Sequence, residues 1–270
     1  MFDLNPAMMF GVSVCSLVLG QLTVAMLRGA QGLVAEREQF RLRKKLLETE
    51  VEYLQRLCES SRQQVQGWEG LRKFRVDRKV LECLDTVSLY LKPHDGKPLP
   101  AFHPGQYLTF SFRIPGSKLP VVRCYSLSDS PSPDYYRITV HKIGAAAKGR
   151  RPGLVSSYIV EQLAEGDLVD VKAPAGHFYL DLNNSRPIAL VAAGVGVTPL
   201  ISMVNAVCER GMPQRTRMIL GVRNGHCHPF KRNLADLQRQ HPHLTVETFY
   251  SRPLPEDREG VDYAHQGRVT

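Results

Sequence analysis

The chain has 270 residues, 43% of them hydrophobic and 23% charged, with a formal net charge of +9. An apolar fraction of this size over this length supports two packed domains and excludes a disordered chain as the default. Six cysteines spread without a CxxC pair (Cys15, Cys58, Cys83, Cys124, Cys208, Cys227) exclude a zinc or iron–sulfur site of clustered thiolates, and the positive excess comes with no helix-turn-helix, zinc-finger or aromatic RNA-binding pattern, so nucleic acid is not an expected partner.

Residues 6–27, PAMMFGVSVCSLVLGQLTVAML, carry no charge. At the helical rise this stretch reaches about 33 Å, enough to cross a hydrocarbon core of roughly 30 Å. A cleaved signal peptide needs a basic start, whereas Asp3 is the only charged side chain upstream; a buried soluble helix is the other reading, suited by Ser16, Gln21 and Thr23. The expectation is a single membrane span in an N-terminal segment 1–30. Cations such as Arg37, Arg41, Arg43, Lys44 and Lys45 follow the stretch, which places the C-terminal bulk on the cytoplasmic side.

Residues 31–70 form a second segment, charged and leucine-rich, with Leu33, Phe40, Leu47 and Leu54 seven apart and Val51 and Leu57 filling in. That is one apolar stripe on a helix. It serves either a coiled-coil homodimer through 33–66 or packing on the next domain, and four positions do not choose between them.

After Trp68 the pattern changes to short alternating runs. Strands are expected at 73–83, 86–92, 106–114, 121–128, 135–143 and 167–173, broken by turn sequences such as HDGKP and RIPGSK. Within 71–183 these make a six-stranded antiparallel barrel, whose interior fills with side chains and leaves any ligand outside. GLVSSYIVEQL (153–163) reads as a short helix capped by Ser156 or Ser157, and its first N–H groups form an anion site. The scattered cysteines are expected to be reduced, individually buried thiols.

The last segment, 184–270, opens with PIALVAAGVGVTPLISMV (187–204): a buried strand, a glycine turn and a helix. Gly194 and Gly196 let backbone approach a pyrophosphate, and Pro199 suits a first helical turn. The pattern is GxGxxP where the dinucleotide fingerprint has GxGxxG. Two further strands, RMILGV (217–222) and LTVETFY (244–250), separated by a helix, indicate a parallel α/β unit. The fold class is therefore α/β plus all-β: the antiparallel barrel, then a partial parallel nucleotide domain, preceded by a transmembrane helix and a coiled-coil-like helix.

RCYSLSDSP (123–131) places a cation, a ring and a hydroxyl within four positions of one strand. An edge strand with a solvated face would account for it alone, and the other motifs decide. HPGQYLTF (103–110), RCYS (123–126), GLVSSYI (153–159), AGHFYLD (175–181) and AGVGVTPL (193–200) stand in an order and spacing that resembles ferredoxin–NADP reductase-like flavoproteins, including the reductase modules of flavohaemoglobins. The resemblance spans about 72–270. It implies that Arg123 meets the FAD pyrophosphate, where a planar guanidinium fork suits phosphate oxygens, with Cys124 beside it in the cofactor-binding run. Tyr125 would lie against the isoalloxazine and ribityl, Ser126 near flavin N5, Tyr107 on the flavin, and Val155 and Ser156 at the pyrophosphate. Gly194, Val195, Gly196, Val197, Thr198 and Pro199 would hold NADPH or NADH, with Thr198 near the nicotinamide; Ser126 and Thr198 are the catalytic positions. Ser251 and Arg252, with Tyr263 beyond, would take a 2′-phosphate and favour NADPH.

The resemblance also has a departure. The family continues into a further strand carrying a CGP motif, whereas this sequence ends at GRVT, so a fragment of a longer reductase, or a sheet completed by a partner, is expected. The function implied is a membrane-anchored reductase passing hydride from NAD(P)H to FAD and single electrons to an acceptor: a redox protein, a fused iron–sulfur domain or a quinone. The alternative is a non-catalytic, membrane-tethered scaffold that retains the flavoprotein fold.

Overall fold

The computed structural model describes residues 38–49, 51, 67–144 and 152–269. The expected span at 6–27, Cys15, Cys58 and most of the apolar stripe lie outside the described residues. Residues 38–49 form helix α1, on which Phe40 and Leu47 are exposed and Lys44 pairs with Glu48 at 3.8 Å. Among the described residues no helix is long and apolar enough to cross a membrane. Helix α1 falls in one compact unit, 1–63, and everything below belongs to the other, 64–270.

The barrel strands are β1 (Arg72–Cys83), β2 (Thr86–Pro93), β3 (Tyr107–Phe112), β4 (Val121–Ser126), β5 (Tyr136–His141) and β6 (Leu168–Ala175). They form a six-stranded sheet in the order β4-β3-β6-β1-β2-β5, antiparallel throughout. A bridge between Leu127 and Ile138 brings the chain just past β4 against β5 and closes the sheet on itself. Alternation decides what fills it: Phe74 and Val76 of β1, Leu108, Phe110 and Phe112 of β3, and Tyr136, Ile138 and Val140 of β5 are buried together. Each such side chain contributes roughly 1.5–3 kcal/mol by leaving water. The filled interior leaves ligand binding to the outside, as expected from the strand count.

Between β5 and β6 stands helix α2 (Leu154–Ser157), continued by a π-helical turn over Tyr158–Gln162. The expected serine cap is corrected: Gly153 is the N-cap, and no side chain among the described residues caps it. The chain leaving β5 runs beside Gly153, whose N–H donates to the Ile143 carbonyl at 2.8 Å. The Ser156 hydroxyl turns to that chain, accepting from the Ile143 N–H at 3.1 Å and donating to the Gly153 carbonyl at 3.2 Å.

The second sheet holds β7 (Ile188–Ala193), β8 (Thr216–Val222), β9 (Leu244–Tyr250) and β10 (His265–Gln266), all parallel, in the order β10-β9-β8-β7. A 3-10 turn over Gly194–Gly196 leads from β7 into helix α3 (Val197–Glu209), and α4 (Lys231–Gln240) connects β8 to β9. Val197, Leu200, Ile201 and Val204 of α3 are buried with Met218, Leu220 and Val222 of β8. Strand β10 is an addition to the expected elements; two residues are too few to show an alternation. Among the described residues β7 is the last strand of its sheet, and its Val191 is 59% exposed.

One buried titratable group makes this domain sensitive to acid. His228 is 5% exposed, its Nδ1 lies 2.9 Å from the Tyr250 hydroxyl, and Nε2 has no partner among the described residues. Burial, then Lys231, lowers its pKa from 6.5 to about 4, with Asp257 and Asp262 pulling the other way. The unfolded chain therefore binds this proton first as pH falls. Stability present above pH 6.5 is lost on the way down to about pH 4, by an amount on the order of 3 kcal/mol. Urea denaturation across that window should show His228→Gln losing about 2 kcal/mol less than the parent protein; equal losses would show that His228 binds its proton equally in the folded and unfolded states.

Candidate active site

The end of β4 and the turn before β3 are built as one piece. The register sets Tyr107 opposite Ser126 and Phe110 opposite Arg123. Gln106, 2% exposed, accepts from the His103 N–H at 2.8 Å, donates to the Gly176 carbonyl at 3.4 Å, and takes the Leu127 N–H on its own carbonyl at 2.8 Å. The Tyr107 ring lies over Gly176, where an added Cβ would come within 2.9 Å of it.

Arg123 is exposed, donates to the Val122 carbonyl at 2.7 Å, and forms no ion pair among the described residues. Its charge is therefore uncommitted. Cys124 is exposed as well, its sulfur 3.4 Å from the Thr109 hydroxyl, which corrects the expectation of buried thiols; Cys208 is buried, and Cys83 and Cys227 are intermediate. Tyr125 is half-buried, edge-on to Phe110 at 5.8 Å, and burial pushes its phenol up to about 12 against the pull of Arg123. It is a neutral phenol near neutral pH, hence a contact surface rather than a base. Ser126 is half-buried, and its hydroxyl makes no hydrogen bond among the described residues. The Tyr158 ring meets Phe112 at 6.1 Å, so the helix that carries buried Val155 and Ser156 adjoins the β3–β4 hairpin.

The nucleotide-side candidates gather at the carboxyl ends of the parallel strands, where ligands of open α/β sheets bind. Gly194 has φ +54°, and a Cβ at Gly194 or Gly196 would meet nothing within 4 Å, so open space lies over the turn. Val195 is 43% exposed and Val197 fully buried, while Pro199 falls in the first turn of α3. Thr198 is 8% exposed, and its hydroxyl donates to the Val195 carbonyl at 3.1 Å, so it fixes the turn. Past β9, the Ser251 N–H donates to the Val222 carbonyl at 3.0 Å and the Arg252 N–H to the Arg223 carbonyl at 2.8 Å. Tyr263 stacks on Tyr250 at 4.7 Å and is 8% exposed, so it is core rather than a phosphate contact.

With this geometry in view, two family descriptions match the chain: an oxidoreductase FAD-binding domain over residues 73–179 and an oxidoreductase NAD-binding domain over 190–270. The FAD/NAD-binding domain of a nitric oxide dioxygenase from Vibrio cholerae superposes with a TM-score of 0.67 at 30% identity, over 74% of this chain and 79% of that one. The chain belongs to the FAD- and NAD-binding oxidoreductases. The flavohemoprotein of Deinococcus radiodurans is 40% identical over 204 residues, which is 76% of this chain and 49% of that protein. Phthalate dioxygenase reductase is similar at TM-score 0.57 and 26% identity, over 71% of this chain and 55% of that one. The chain spans about half the length of the curated flavohemoproteins it matches.

The residues of this oxidoreductase fit its two cofactors. Among the described residues, an exposed guanidinium without a carboxylate partner and first-turn N–H groups of α2 without an acceptor suit a pyrophosphate. The open turn at Gly194 and Gly196 suits a second one. The hydroxyls of Ser156 and Thr198 are committed to internal hydrogen bonds, which leaves the backbone of those two turns as the available donor. Sequence reasoning missed Gln106, which a buried polar residue next to a proline–glycine turn could have signalled, and Arg223, exposed beside Arg252. It also missed Asp129, hidden in a run of turn residues.

Proposed function

We propose that the chain is the reductase module of a membrane-anchored electron-transfer system that uses NADPH. The observation that carries the reductase reading is the meeting of the two half-sites. Asp129, three residues past Ser126, is hydrogen-bonded to Ser202 and Asn205 of the helix that begins at Val197 and Thr198. When bound, FAD supplies the chemistry that takes a hydride from a nicotinamide and releases electrons one at a time.

The protein's part is alignment. Arg123 and the start of α2 hold the FAD pyrophosphate, Tyr125 and Tyr107 supply flat surfaces, and Ser126 presents an uncommitted hydroxyl at the strand end. Across the junction, Gly194–Gly196 admits the dinucleotide and Thr198 keeps the turn in shape. Arg223 and Arg252 put two guanidinium groups at neighbouring strand ends, which suits a phosphate monoester and supports NADPH over NADH. The sequence holds no clustered thiolates, so an iron–sulfur acceptor centre would belong to a partner domain or protein. The uncharged stretch 6–27 supports anchoring, which partitioning of the full chain into detergent-rich phase would test.

NADPH oxidation by the FAD-loaded chain with ferricyanide as one-electron acceptor tests the reading. It predicts turnover, and a preference for NADPH that Arg252→Ala reduces roughly tenfold, the loss of one charge-assisted contact; absence of turnover with either nucleotide would contradict it. A second variant separates folding from function. Gly194→Val places a branched side chain at φ +54° in open space, costing about 1–2 kcal/mol of stability. The chain should still fold and retain FAD while flavin reduction slows at least about 100-fold, because the valine occupies the nucleotide's approach.

A further inference from the structure

Helix α3 presents Ser202, Asn205 and Glu209 along one face, at helical spacing, to the segment that follows β4. The Ser202 hydroxyl donates to the Asp129 carbonyl at 2.6 Å, Asn205 Nδ2 to Asp129 Oδ1 at 2.6 Å, and the Ser130 hydroxyl to Glu209 Oε1 at 2.6 Å. Asp129 is 8% exposed, and a buried carboxylate is costly unless its oxygens are satisfied. Here they are. Oδ1 also accepts from the Ser130 N–H at 3.0 Å, and Oδ2 takes the Tyr135 hydroxyl at 3.1 Å and Arg137 at 3.2 Å. Arg137, 7% exposed, is itself gripped by both domains: it donates to the Ser128 carbonyl and lies 5.3 Å from the Phe230 ring, just before α4.

We propose that Asp129 is a positioning residue for the hydride-transfer step proposed above, acting as a buried bolt that fixes the R-x-Y-S strand end against helix α3. The arms on either side are short. Ser126 stands about 10 Å along extended chain from Asp129, and Thr198 one helical turn, about 6 Å, before Ser202. With both oxygens of the carboxylate bonded, its partners are held in one arrangement, so the distance between the two half-sites has one value. A misplacement of about 1 Å at reacting atoms costs on the order of 100-fold in rate, which is what such a bolt prevents. This inference rests on the reductase reading and deepens it.

The test uses Ser202→Ala, Asn205→Ala and the double variant of the full chain, none of which removes a proposed cofactor contact. In rapid mixing with NADPH, the limiting rate of flavin reduction should fall about 10- to 100-fold in the double variant, with the dissociation constants for FAD and NADPH within about threefold of the parent. In the FAD-free protein, amide exchange in 127–130 and the first turn of α3 should rise at least about tenfold. A parental limiting rate with parental exchange overturns the proposal, as does lost FAD retention with an unchanged rate per bound flavin. Should the double variant fail to fold, Ser202→Ala alone decides, with about a threefold fall expected and none overturning. If the parent protein itself does not reduce its flavin, the reductase reading fails, while the exchange measurement still reports on the bolt.

Discussion

Arg123→Ala is expected to strip FAD from the protein, raising its dissociation constant by roughly 10- to 100-fold, the equivalent of about 1.5–3 kcal/mol for a charge-assisted contact to phosphate. The size follows from the environment of the side chain. Arg123 is exposed, it bonds to its neighbour's carbonyl, and no carboxylate competes for it among the described residues. Removing it should leave folding nearly unchanged, because no buried group loses a partner. Arg123→Lys keeps the charge without the planar fork and should fall between the two. Titrating FAD-free protein with FAD measures the effect; an unchanged dissociation constant would remove Arg123 from the pyrophosphate site.

The second large effect lies in the turn before β3, which packs against Phe178 and Tyr179 of the segment leading to the nucleotide domain and against Met203 of α3. Gly105 has φ +110°, and a Cβ there would come within 2.5 Å of the Phe178 carbonyl oxygen, 2.6 Å of Met203 Cε and 3.0 Å of Tyr179 Cα. The methionine can swing away, but two of the three obstacles are backbone. Adding about 1–3 kcal/mol for the backbone conformation to about 1–3 kcal/mol for overpacking, Gly105→Ala should cost roughly 2–6 kcal/mol and lower Tm by about 10 °C. Gly116 is the control: it has φ +81° and nothing within 4 Å of an added Cβ, so Gly116→Ala should cost only about 1–2 kcal/mol. Thermal denaturation of both variants checks the difference, and equal shifts would mean that the junction yields.

Alternation of apolar and polar residue types, as in Tyr136-Arg137-Ile138-Thr139-Val140, made the barrel strands readable from the residues, since the apolar positions of one face fill the interior. Closure of the barrel was expected from the strand count, but the place where it closes was not readable, because among the described residues it rests on one isolated bridge, Leu127 to Ile138. The same holds for β10, which is two residues long. The site was legible as residue types in order, so Arg123, Tyr125, Ser126 and the turn at Gly194 fall on the strand and the turn where they were expected. The use of each hydroxyl was not legible. Ser156 bonds to the Ile143 backbone, which comes near only in the folded chain, and Thr198 turns its hydroxyl back to the Val195 carbonyl of its own turn. Asp129 reads as a turn residue in SLSDSP, and only the packing of α3 reveals it as the hub of a buried network.

The central claim is a nicotinamide-to-flavin path within this chain. The most direct measurement is the visible spectrum of the FAD-loaded full chain in mild detergent, recorded without oxygen before and after NADPH. The account predicts a bound-flavin band that bleaches on mixing. A bound flavin whose band persists with both NADPH and NADH, or a folded protein that takes up no FAD, would contradict it.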